Sequence, residues 1–235
     1  MTHSPAATQL ELLAAANQRL VRTIDGLDDA TFATPSLLPD WTVGHVIAHL
    51  ALNGEGLAGA LDGVTTGAGT PMYASPEARD RDIAELGVAS PSEIRSRALA
   101  STALYDRAVS DLPDDRWEVT IERTPGKPAF RARSSVLMRL REVEIHHADL
   151  GVGYTAADWS PAFSTLLLDS MRKRDFPRAF KVLATDLSQT WEYGTGEPTT
   201  TVTGESNDLA WWLTGRGDGG TLTADRDVLP EVTPW

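Results

Sequence analysis

The stretch LREVEIHHADLGVGY, Leu140 to Tyr154, decides how this chain is read. Between Glu142 and Asp149 it holds two glutamates, two adjacent histidines and an aspartate. The spacing predicts a helix from about Ser134 to Leu150. On such a helix Glu142 and His146 stand one turn apart on one face. A carboxylate and an imidazole so placed can converge on one metal ion. The same spacing also serves an ordinary solvated ion pair, so it leaves both readings open. Asp149, three residues past His146, reads as a hydrogen-bonding support and not as a ligand. Glu144 and His147 fall on other faces and read as surface or supporting groups.

A third ligand has to come from another helix, and the chain holds only five histidines: His3, His45, His49, His146 and His147. His3 sits in a terminal segment. In DWTVGHVIAHLA, Asp40 to Ala51, His49 lies beside the apolar stripe Val46, Ile47, Leu50 and so faces inward. A buried imidazole needs a partner there, as a core hydrogen-bonding group or as a ligand. His45 shares that face nearer the helix start and is expected to be partly buried.

Outward from these stretches the pattern is mostly helical. Apolar positions at helical spacing run from Ala6 to Ile24 and close at Gly26. The turn-rich ATPSLLPDW follows, and Thr42 can cap a helix from about Val43 to Leu61. Ser75-Pro76-Glu77 and Ser90-Pro91-Ser92-Glu93 mark two more helix starts, the second running to about Leu112. WEVTIER, TPGKP and AFRAR read as a hairpin. Beyond Tyr154 the texture alternates: a helix near Pro161 to Arg174, strands in FKVLAT, QTWEY and TTTVTG, a helix from Ser206 to Leu213, and a short GTLTA. The expected organisation is a helical bundle over 1–153 and a small α+β domain over 154–235.

Composition limits the chemistry. The 235 residues, 41% of them hydrophobic, are enough to bury a core, and no apolar run is long enough for a bilayer. MTHSPAATQLELL lacks the basic start and apolar block of an export signal, so a cytoplasmic location is expected. A net charge of -12 argues against nucleic acid and anionic membranes and for a small-molecule partner. With no cysteine, there is no thiolate ligand and no cysteine nucleophile. A metal must sit on His, Asp and Glu, and a reacting thiol must come from outside. Oligomeric state is not legible.

LPDWTVGHVIAHLA followed by LREVEIHHADLGVGY resembles the paired signature of the DinB-like metalloproteins, in the branch named for mycothiol-dependent maleylpyruvate isomerase. That pattern is carried here by Trp41, Thr42, His49 and Leu50, then by Arg141, Glu142, His146, Asp149 and Leu150. TPMYASPEARD, Thr70 to Asp80, and LAWWLTGRGDGG, Leu209 to Gly220, extend the likeness. The resemblance implies an α+β, mainly α fold: an N-terminal DinB-like four-helix bundle and a smaller C-terminal α/β domain. It implies zinc, or another divalent metal, on His49, Glu142 and His146, and mycothiol as the thiol. It also implies cis–trans isomerisation of maleylpyruvate to fumarylpyruvate in gentisate degradation. Arg79 and Arg216 are then the groups that grip the dicarboxylate substrate, Arg216 the better supported, its TGRG loop closing over the zinc site. From spacing alone, Arg79 is equally an exposed first-turn residue and Arg216 an ordinary helix-end cation. Tyr73 is a candidate lining of the substrate pocket, whereas Trp41, Trp211, Trp212 and Tyr154 read as core or interface residues. Two alternatives keep the metal: a mycothiol S-transferase acting on another electrophile, and a non-catalytic zinc-binding module.

Overall fold

The computed structural model describes residues 7–127, 129–226 and 228–233. His3, Ala6 and Pro128 of the hairpin turn, named above, lie outside the described residues. The chain divides into two compact units, Met1–Gly153 and Tyr154–Trp235.

Unit one is built from helices whose starts follow local chemistry. Helix α1 spans Ala7–Gly26 and buries Leu13, Ala16, Leu20 and Ile24, a stripe at three- and four-residue steps. Helix α2, Val43–Thr66, begins in a capping box, with Thr42 as N-cap and His45 as its partner. It runs five residues past the expected Leu61 because Leu57, Ala60, Leu61 and Val64 continue the buried stripe. It stops at Gly67, whose left-handed φ of 78° suits glycine. Helices α3, Pro76–Gly87, and α4, Pro91–Asp111, each start with proline in the first turn. Their serine caps, Ser75 and Ser90, accept the backbone N–H three residues on. Strands β1, Thr120–Glu122, and β2, Ala129–Arg131, pair antiparallel as the expected hairpin. Helix α5 spans Ser134–Asp149.

The four long helices form a closed bundle: α2 packs on α4 and α5, and α1 on α5 and α4, with α3 lying on α2. A short 3-10 turn, Asp29–Ala33, leads into the turn-rich ATPSLLPDW and buries Phe32. The last two turns of α5 are buried nearly all round, from Val143 to Asp149. This corrects the surface reading of Glu144 and His147, each 1% exposed. Both are enclosed by α1: Arg19 Nη2 donates to Glu144 Oε1 at 2.6 Å, and His147 Nε2 lies 2.8 Å from Thr23 Oγ1.

Unit two has α6, Pro161–Met171, and α7, Ser206–Leu213, with a four-stranded sheet. The strands are β3, Phe180–Ala184; β4, Gln189–Tyr193; β5, Thr201–Gly204; and β6, Thr223–Ala224. Their order is β4-β3-β5-β6, with β3 and β5 parallel and the outer pairs antiparallel. Helix α6 ends three residues before the expected Arg174, and Arg174 instead donates to Leu213 O at 2.9 Å. Together the units make a mainly α, α+β protein. No helix among the described residues is long and apolar enough to cross a membrane.

Candidate metal centre

His49 and Glu142 are 93 residues apart, yet α2 and α5 bring them into contact. His49 Nε2 lies 2.9 Å from Glu142 Oε2, and His146 Nε2 lies 3.2 Å from the same oxygen. The two imidazoles meet edge to face, with centroids 4.7 Å apart. One ligand atom from each of the three residues falls within 4.8 Å of the others. The histidines are buried, but the Glu142 side chain keeps 14% of its exposure, so the cluster has a side open to solvent.

The hydrogen-bond pattern of His146 tests whether a cation fits. Its Nδ1 lies 2.8 Å from Asp149 Oδ2, and a carboxylate only accepts, so the ring hydrogen sits on Nδ1. The bare Nε2 lone pair then faces a carboxylate oxygen of Glu142. That contact is repulsive unless a proton or a metal ion lies between them. The acidities agree. Burial opposes the charged form of His146, but the hydrogen bonds to Asp149 and Glu142 outweigh it and raise its pKa. Glu142 is likewise penalised by burial, yet the hydrogen bonds from His146 and His49 hold it well below the usual carboxylate range. Burial pushes His49 down to about 4, which keeps it neutral and ready to ligate at physiological pH. With the His146 Nε2 proton displaced by an ion, two imidazole nitrogens and one carboxylate form a donor set suited to zinc and its divalent neighbours.

Asp149 is fully buried and orients His146, which is the support expected of it. Asp149→Asn keeps an acceptor and loses the charge, and Asp149→Ala loses both. Metal affinity is expected to fall about tenfold in the first and about a hundredfold in the second. Competition titration with a chromogenic chelator reads both values.

Arg79, on α3, comes to this cluster: its Nη2 is 3.5 Å from His49 Nδ1, its Nη1 donates to Asp80 Oδ1 at 2.8 Å, and its guanidinium lies 5.9 Å from the Tyr73 ring centroid. Tyr73 and Arg79 line a cavity of about 310 Å³. Arg216 belongs to unit two. It follows α7, between Gly215 and Gly217 with positive φ, donates to Thr214 O at 3.2 Å and lies over Trp211. His45 is half-buried and bonded to Thr42, outside the cluster.

Three residues of the site escaped sequence reading. Trp41, expected as a core or interface residue, lies beside the site, its ring tilted against that of His49 with centroids 5.7 Å apart. Arg139, one turn before Glu142, is 1% exposed and donates to Leu50 O at 2.7 Å and to Asn53 Oδ1 at 2.9 Å. Asn53 stands one turn after His49. A helical wheel centred on the ligands, rather than on the apolar stripe, would have picked out both Asn53 and Arg139.

Fold and site together define a helical-bundle protein with an open His-His-carboxylate cluster built across two helices. The chain belongs to the mycothiol maleylpyruvate isomerase N-terminal domain family, whose model matches residues 13–151. Two solved structures are similar along the whole of both chains, each at 28% identity. They are the mycothiol-dependent maleylpyruvate isomerase, at a TM-score of 0.90, and a histidine-to-alanine mutant of it, at 0.89. No curated protein matches.

Proposed function

We propose that the chain is a cis–trans isomerase that converts maleylpyruvate to fumarylpyruvate, with mycothiol as its thiol and zinc as its metal on His49, Glu142 and His146. One observation carries the reading: two imidazole nitrogens and a carboxylate oxygen meet at one point in a chain similar to the solved isomerase over its full length. The units 1–153 and 154–235 are the two domains of this enzyme, and a cytoplasmic location is part of the proposal.

When bound, the ion would hold an external thiol as thiolate at neutral pH, supplying the nucleophile that a cysteine-free chain lacks. Addition of that nucleophile turns the substrate's double bond into a single bond that can rotate, and its departure restores the trans alkene. The chain's own residues set the stage. Three protein ligands leave a coordination position open, as in catalytic rather than structural zinc sites. Asp149 fixes the His146 ring so that Nε2 faces the site. The Arg79 guanidinium, 26% exposed, is the group that grips a substrate carboxylate through paired N–H donors. Arg216 is assigned the same task on the family pattern.

The test follows conversion of maleylpyruvate by the purified, metal-analysed chain, with and without mycothiol. Turnover that requires the thiol is expected. No turnover with one zinc bound per chain would sink the isomerase reading. Arg79→Lys keeps the charge but loses the planar fork, so kcat/KM is expected to fall about 10- to 100-fold, mainly through KM. An unchanged KM would remove Arg79 from substrate binding.

A further inference from the structure

Arg139 is among the largest side chains that the bundle encloses completely, and stability alone is a poor reason for it. Taking a guanidinium out of water is costly, and burial lowers its pKa. Both acceptors of its Nη1, Leu50 O and Asn53 Oδ1, are uncharged, and its buried Nε has no hydrogen-bond partner among the described residues. A well-packed apolar side chain of similar volume would often be as stable or more so. What the guanidinium offers instead is a directed grip.

That grip falls where the two ligand-bearing helices meet. Arg139 stands three residues before Glu142, and His146 four after it, so all three share one face of α5. On α2, Leu50 follows His49 directly and Asn53 stands one turn on. Arg139 Nη1 donates to Leu50 O at 2.7 Å and to Asn53 Oδ1 at 2.9 Å, and so ties α5 to the very turn of α2 that carries His49. A guanidinium only donates, so Asn53 has to present its oxygen, which fixes the orientation of its amide. Helix α2 leaves room for the fork at Gly54, where an added Cβ would lie 3.1 Å from Arg139 Nη2 and 3.2 Å from Ser101 Oγ of α4. The same two helix turns bring His49 Nε2 to 2.9 Å from Glu142 Oε2.

We propose that Arg139 is a positioning residue for the metal: by tying the His49 turn of α2 to the Glu142 turn of α5, it presets the separation of the ligand atoms before an ion arrives. This rests on the assignment of His49, Glu142 and His146 as ligands. The sign of the effect separates a tie from a charge. A buried cation repels a metal ion, so a residue acting through its charge alone would weaken binding, and its removal would tighten it. Removal of a tie loosens it.

The experiment compares the full chain with Arg139→Met and Arg139→Lys, by chelator competition for Zn²⁺ at a temperature where circular dichroism shows the metal-free chains folded. Methionine removes the donors and the charge, whereas lysine keeps the charge but not the planar fork. Zn²⁺ affinity is expected to fall about tenfold or more in both, the usual effect of losing a group that supports the ligands. With Co²⁺ as probe, the visible spectrum of Arg139→Met should differ from the parent's, because the ligand atoms have moved. A loss of stability alone would leave the spectrum of the bound ion as it was. Equal or tighter Zn²⁺ binding by folded Arg139→Met would overturn the proposal, and so would an unchanged Co²⁺ spectrum. If Arg139→Met does not fold without metal, Asn53→Ala decides, since it removes one acceptor and leaves Arg139 in place. Weaker Zn²⁺ binding is expected there, and equal affinity rejects the tie. If His49→Ala binds Zn²⁺ as tightly as the unsubstituted chain, it is the ligand assignment that has failed.

Discussion

His49→Ala is expected to leave the purified chain without its metal and to lower turnover roughly a thousandfold or more, about 4 kcal/mol at 1.36 kcal/mol per decade. The imidazole is 3% exposed and supplies the only donor that α2 contributes to the cluster. Losing it leaves one nitrogen and one carboxylate, both from α5. The Glu142 carboxylate also loses the hydrogen bond that, together with His146, keeps it ionised. Elemental analysis and the isomerisation assay on one sample give both numbers. Retention of one metal per chain at the parent's affinity would place the ion elsewhere. Circular dichroism on the metal-free pair separates loss of metal from loss of fold.

Gly44→Ala is the second large effect, and it acts on packing alone. A Cβ at Gly44 would lie 2.7 Å from the Gly87 carbonyl oxygen and 3.0 Å from that of Phe32. Both are backbone atoms, so neither can swing aside as a side chain would. The first turn of α2 has to move away from the end of α3, at an expected cost of about 3 kcal/mol. Denaturant unfolding should show a lower midpoint with an unchanged slope. Gly59→Ala, on the exposed side of the same helix with nothing within 4 Å, is the control. It is expected to stabilise by up to about 1 kcal/mol. If the two substitutions behave alike, helix propensity rather than close packing governs Gly44.

The fold was legible where local chemistry is strong. Ser75-Pro76 and Ser90-Pro91 start helices because serine caps and proline preorganises the first turn, with no reference to the rest of the molecule. The Glu142–His146 face was legible for the same reason. The surroundings of α5 were not. Glu144 and His147 look like surface residues because polar side chains usually face water, and only the docking of α1 supplies Arg19 and Thr23 to satisfy them. Arg139 was invisible for a related reason. A fully buried guanidinium is tolerated here because the Leu50 carbonyl and the Asn53 amide, both on another helix, accept from it. What the sequence hides is therefore the pairing of helices, and with it the polar groups that each helix lends its neighbour.

The 93-residue separation of His49 and Glu142 has a consequence beyond catalysis. An ion seated between them would be a clasp, closing a long loop in a chain that has no cysteine with which to make a covalent one. Unlike a disulfide, the clasp opens and shuts with the free concentration of the ion. At a hundred times the dissociation constant it would add about 2.7 kcal/mol to the stability of the bundle, and with a chelator present it would add nothing. The heat tolerance of the chain would then track the metal supply of its surroundings.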